Sequence, residues 1–144
     1  MSAPLRLIPD INVLLSGLTS TRGPSRELYL AARRFEVQFV LAEEHLEELA
    51  RVLTYPAVLR LGSGITPADA FALAVDLHRM TEIAHLTTHH DWPSCPDPKD
   101  WYLLDLLVQA QADAVVSKDS HLLNAGRHLG LPIVEPKTVM TFIR

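Results

Sequence analysis

Short apolar runs alternate along the chain with longer stretches whose apolar residues recur every three or four positions. Residues 5–8 read as a first strand buried on both faces. Pro24 suits the first turn of a helix running to about Arg34. Residues 35–41 alternate as a second strand, and 43–54 carry helical periodicity that Tyr55-Pro56 closes. Gly62-Ser-Gly64 marks a loop. Thr66-Pro-Ala-Asp69 has the form of a helix start, with a threonine cap, a proline first and an acid three residues after the cap. The helix it opens reaches about Met80. Residues 82–87 give a third strand, 89–99 a loop rich in proline, histidine and aspartate, and 100–111 a helix. A strand at 114–117, a helix at 120–129 ended by Gly130, a last strand at 131–134 and a short helix from Pro136 complete the chain. Strands alternating with helices predict an α/β fold, with a central, mainly parallel sheet flanked by helices on both faces.

Two of these strands run into aspartate, at Asp10-Ile-Asn12 and at Ser117-Lys-Asp119. Open α/β sheets bind ligands at the carboxyl ends of their strands, so an acid placed there is a candidate site residue. Aspartate also caps helices well, and both sites precede a helix, so capping competes at each. Helical geometry sorts the other acids. At 100° per residue, Leu46, Leu49, Val52 and Leu53 define the buried stripe of the 43–54 helix. Glu47 falls opposite that stripe, in reach of Arg51, and Glu43 and Glu44 suit the first turn through the helix dipole. Glu48 sits on the flank, where it can lean into a cleft. In the next acidic helix Leu103, Leu104 and Leu107 mark the buried side and Asp100 shares their angular range. Asp105 falls opposite and is expected in solvent. Asp97 lies in the preceding loop, placed to support the site.

The 144 residues suit a single domain, 1–144, with a sizeable core. Hydrophobic residues make up 48% and charged residues 21%, in the range of globular proteins, and no apolar run approaches a membrane span. No apolar leader follows the first residues, and the one cysteine, Cys95, fits a reducing compartment as an inert thiol; a cytoplasmic protein is expected. The histidines lack a ligand spacing, and His89-His90 is expected to be exposed. With oxygen donors dominant, Mg²⁺ or Mn²⁺ is the expected ion rather than zinc. The net charge of −4 does not favour nucleic acid. Four carboxylates in one metal site would account for that excess. Arg22, Arg26, Arg33 and Arg34 form a local basic group, readable as a solvated helix face or as phosphate contacts.

The ordered motifs Asp10-Ile-Asn12-Val-Leu14, Ala42-Glu-Glu-His-Leu-Glu-Glu48-Leu49, Asp97-Pro-Lys-Asp100, Ala112-Asp-Ala-Val-Val-Ser117-Lys-Asp119-Ser-His-Leu-Leu123 and Gly130-Leu-Pro-Ile-Val134 resemble the PIN domain family. The likeness is to the toxin-like branch found in bacterial and archaeal toxin–antitoxin systems, and it spans residues 5 to about 143. Ile11 stands where that branch has threonine, Ala42 where it has a capping serine worth about 1 kcal/mol, and Trp101 where asparagine is common. The resemblance implies a divalent-metal-dependent endoribonuclease, the toxin of a type II system, with Asp10, Glu48, Asp100 and Asp119 as the catalytic and metal-holding carboxylates. Asn12, Ser117 and Asp97 would support them or touch the scissile phosphate. It also implies an RNA substrate, a cognate antitoxin and a homodimer. The alternative is a catalytically degenerate PIN module that binds RNA or a protein partner. A dehalogenase-like phosphohydrolase would need a second aspartate where Asn12 stands.

Overall fold

The computed structural model describes residues 3–53 and 66–143. The expected helix stop at Tyr55-Pro56 and the loop at Gly62-Ser-Gly64 lie outside them. In chain order the elements are β1 (Leu5–Pro9), α1 (Ile11–Thr19), α2 (Pro24–Arg33), β2 (Val37–Ala42), α3 (Glu43–Leu53), α4 (Pro67–Met80) and β3 (Thr81–Ala84). A 3₁₀ turn (Pro98–Asp100) then leads into α5 (Trp101–Ala110), followed by β4 (Ala114–Val116), α6 (Ser120–Leu129), β5 (Ile133–Val134) and α7 (Pro136–Ile143). Among the described residues no helix is long and apolar enough to cross a membrane.

The strands form one five-stranded sheet in the order β3-β2-β1-β4-β5, and every pairing is parallel. The chain moves outward from β1 to β3, returns to the centre, and moves outward again through β4 and β5. The carboxyl ends of β1 and β4 therefore flank the point where the direction of winding reverses, the crevice in which open α/β sheets bind ligands. Successive residues alternate between two cores. Leu7, Phe39, Leu41 and Val116 pack with Leu14, Leu28, Leu73 and Val139 of α1, α2, α4 and α7. Ile8, Val40, Val115 and Ile133 pack with Leu103, Leu104 and Leu107 of α5 and Leu122 and Ala125 of α6.

Local chemistry sets the ends of these elements. Thr66 Oγ1 accepts from Asp69 N–H at 3.1 Å, and Asp69 Oδ2 accepts from Thr66 N–H at 3.0 Å, closing the capping box that the spacing predicts. Phe35, expected in a strand, instead closes α2 in a left-handed conformation (φ 60°), with its N–H on the Ala32 carbonyl. The second strand therefore starts at Val37. The third strand ends at Ala84, short of the expected Thr87. There Gln109 of α5 takes over the backbone, donating to the His85 carbonyl at 2.8 Å and accepting from Thr87 N–H at 2.9 Å.

Helix α1 crosses α2 so closely that a Cβ at Gly17 would lie 2.8 Å from Tyr29 Cβ and 3.0 Å from the Ser25 carbonyl oxygen. Neither atom belongs to a flexible chain end, so neither can yield cheaply. Gly17→Val is accordingly expected to lower the midpoint of urea unfolding. The helix-propensity gain, under about 1 kcal/mol, is outweighed by overpacking of about 1–3 kcal/mol.

Candidate active site

The site begins with the termination of β1. Pairing with β2 runs through Leu7 opposite Phe39, while pairing with β4 continues to Pro9 opposite Val116. The Pro9 carbonyl is met by the ring of His45, on the first turn of α3, at 2.8 Å. The other ring nitrogen, Nδ1, accepts from Ala42 N–H at 2.9 Å. A backbone N–H can only donate, so Nε2 carries the proton and donates to Pro9. Burial holds the imidazole down to about 4, keeping it neutral. His45 thus supplies the return half of a capping box at a helix preceded by Ala42, whose methyl side chain can accept no hydrogen bond.

The next residue, Asp10, is 7% exposed. One carboxylate oxygen accepts from Val13 N–H at 2.8 Å and caps α1. The other accepts from the Ser117 hydroxyl. Ser117 Oγ in turn accepts from Asp119 N–H at 3.0 Å, and Asp119 Oδ1 caps α6 through His121 N–H at 2.9 Å. Capping, which competed in the sequence with a place in the cleft, is found at both aspartates, and both also line the cleft. Ser117 is fully buried and bridges the two strand ends, which removes it from the surface a phosphate would touch.

Around these ends lies a cleft of ≈ 650 Å³, lined by Asp10, Asn12, Glu44, Glu47, Glu48, Asp97, Asp100 and Asp119, with Arg51 and Lys99 as its cations. All four expected carboxylates border it, as do Asn12 and Asp97. Asp97 caps the 3₁₀ turn through Lys99 N–H at 3.0 Å, but Asp100 caps nothing. The Asp100 carboxyl is pushed up to about 6, first by burial and then by the negative charges of Asp97, Asp119, Asp10 and Glu48. Burial also raises Asp10, against the hydrogen bonds from Ser117 and Val13, and the charge of Asp119 adds to the rise. Among the described residues no three His, Cys, Asp or Glu side chains are already drawn together closely enough to hold an ion.

Three expectations from periodicity are corrected. Arg51 pairs with Glu48, at 2.5 and 3.3 Å, rather than with Glu47. Leu46 is exposed, because the buried face of α3 passes through His45 and Leu49. Asp105, expected in solvent, is 4% exposed. Its Oδ1 accepts from His90 N–H at 3.1 Å, His90 Nδ1 at 2.9 Å and Trp92 Nε1 at 3.1 Å. The loop before the 3₁₀ turn folds over the outer side of α5, so that helix has no solvent face at Asp105. His89 and His90 are exposed, as expected, and His90 in addition reaches Asp105. Trp101, in the position of a common asparagine, donates its indole N–H to the Cys95 carbonyl at 2.8 Å. Cys95 is buried, with its thiol pushed up to about 11, mainly by burial, which disfavours the nucleophilic thiolate.

Asp100 ties stability to pH. Between about 4 and about 6 the unfolded chain has released this proton while the folded protein retains it, so stability falls across that window and the deficit persists above it. In metal-free solution Asp100→Asn is expected to melt above wild type at pH 7. That advantage is expected to shrink towards pH 4, as followed by circular dichroism melts; equal melting temperatures at pH 7 would contradict the shift.

A family profile described as PIN domain matches residues 6–121. No curated protein matches the chain at a significant level. PIN domains are in general nucleases, hydrolases of nucleic acid that typically use divalent metal ions. The matched span includes the strand ends, the helices and the loop that enclose the acidic cleft, and on that match the chain belongs to the PIN domain family.

Proposed function

We propose that this chain, folded as one domain over residues 1–144, is a divalent-metal-dependent endoribonuclease. We read it as the toxin of a type II toxin–antitoxin system acting in the cytoplasm. The observation that carries the catalytic part is the convergence of four carboxylates from separate elements on one crevice, where burial first, and the surrounding negative charges after it, push Asp100 up to about 6. Carboxylates that repel one another in this way lower their energy by sharing a cation. The donor set is all oxygen, which suits Mg²⁺ or Mn²⁺ over softer ions.

In this reading Asp10, Glu48, Asp100 and Asp119 hold the metal, which when bound supplies charge neutralisation at the phosphate and a more acidic water. The remaining work belongs to the chain. Ser117 and Val13 N–H fix both oxygens of Asp10, so that carboxylate is oriented before any ligand arrives. His45 fixes the residue before it. Arg51 is paired with Glu48 and would be the internal counter-charge with which a bound cation competes for that carboxylate. Asn12 and Asp97 stand at the rim, placed to contact the strand or the solvent around the scissile phosphate. The motif order of the toxin-like branch supports a cognate antitoxin and a homodimer, and an open cleft with seven carboxylates suits an inhibitory segment carrying arginine.

Millimolar Mg²⁺ or Mn²⁺ is expected to raise the melting temperature, and short single-stranded RNA to be cleaved only with metal present. Asp10→Asn preserves a good helix cap and is expected to lower cleavage by at least about a hundredfold. Full cleavage by that variant would refute the metal mechanism. A wild-type protein inert with both ions on a broad set of RNAs would favour the binding module instead.

A further inference from the structure

A second pocket, of ≈ 260 Å³, opens beside the acidic cleft and has the opposite character. It lies where the N-terminal ends of α2 and α7 meet, and both helices begin with proline, Pro24 and Pro136. Its cations are Arg22, Lys118 and Lys137, with Glu135 as the single carboxylate. At α2 the cap is Gly23, which has no side chain to take up the first-turn N–H groups. Two helix N-termini aimed at one pocket add partial positive charge to the three formal ones.

Two further observations point to an anion. Ser25 lines this pocket, and its hydroxyl is the one buried side-chain N or O among the described residues without a hydrogen-bond partner. A buried hydroxyl left unpaired is costly, and a phosphate oxygen would supply the partner. The arginines also separate. Arg33 is engaged with Asp76, Arg34 with Glu36, and Arg26 with the Gly17 carbonyl. Arg22 is the member of that basic group left facing the pocket.

The pocket is continuous with the site. Lys118 and Ser16, with Nζ and Oγ 3.5 Å apart, line it and also line a groove shared with Asp10, Asn12 and Asp119. We infer that this pocket seats a backbone phosphate of a single-stranded nucleic acid, adjacent along the strand to the phosphate at the carboxylates. The inference rests on the nuclease reading for the strand's direction of travel, and on the pocket's own chemistry for the phosphate.

Binding of a short fluorescein-labelled single-stranded RNA, followed by anisotropy in EDTA across a salt series, tests it. Arg22→Ala/Lys137→Ala is expected to bind about tenfold more weakly, with the slope of log K against log salt reduced by about 0.7 per lost phosphate contact. Ser25→Ala is expected to weaken binding several-fold without lowering the melting temperature, and both variants to raise KM in metal while keeping kcat. Binding and salt slope equal to wild type in both variants would overturn the pocket. If the variants lose binding as expected but wild type cleaves no RNA with metal, the pocket stands and the nuclease reading falls. If wild type cleaves and the variants match it in KM, the pocket alone falls.

Discussion

The architecture of the cleft depends on a carboxylate that folding has taken out of water. Asp10 sits at the reversal point of the sheet, 7% exposed, where an ionised group is costly without close donors. Two donors meet it, one from the helix it starts and one from the strand beside it. That requirement fixes α1 against β1 and β1 against the end of β4. It also sets Ser117, which serves Asp10 with its hydrogen and Asp119 with its lone pair. His45 applies the same logic one residue earlier, filling the place where the β1–β2 ladder stops.

Much of this was legible in the sequence because it is local. The period of apolar residues located nearly every element, and the capping box at Thr66 was readable from four letters. Angle alone set Asp100 apart from Asp105, and of the two Asp100 borders the cleft, but Glu44 and Glu47 line it alongside Glu48, so angle did not single Glu48 out. The misreading of Asp105 arose because periodicity describes a helix with one wet face. Helix α5 has none at Asp105, since a loop with no periodicity of its own covers it. His45 was passed over because a polar residue was not counted in the stripe, although it stands four residues before Leu49 and seven before Val52. Phe35 was read as strand from its alternation, whereas its left-handed backbone comes from closing α2. The Arg51 pairing turned on a choice between neighbours at three and four residues, which spacing alone does not decide.

Net charge was the least informative sequence property, for a physical reason. A balance of −4 averages over surfaces of opposite sign. Seven carboxylates and two cations line the cleft, while three cations and one carboxylate line the neighbouring pocket. At physiological ionic strength charges are screened over about 8 Å, so an approaching polyanion meets the patches separately rather than the total. An acidic protein and a nucleic-acid strand are therefore compatible.

The bond between Ser117 and Asp10 joins residues 107 apart in sequence. A chain made from its N-terminus carries Asp10 and Glu48 long before Asp100 and Asp119 exist. Until β4 is synthesised, β1 is an edge strand, open to pairing with other chains on the side β4 will occupy. Closing so long a loop belongs to the slower events of folding. The acidic cleft thus cannot be complete until Asp119 has been made, and a protein truncated before β4 would lack both the cleft and the partner that covers its central strand.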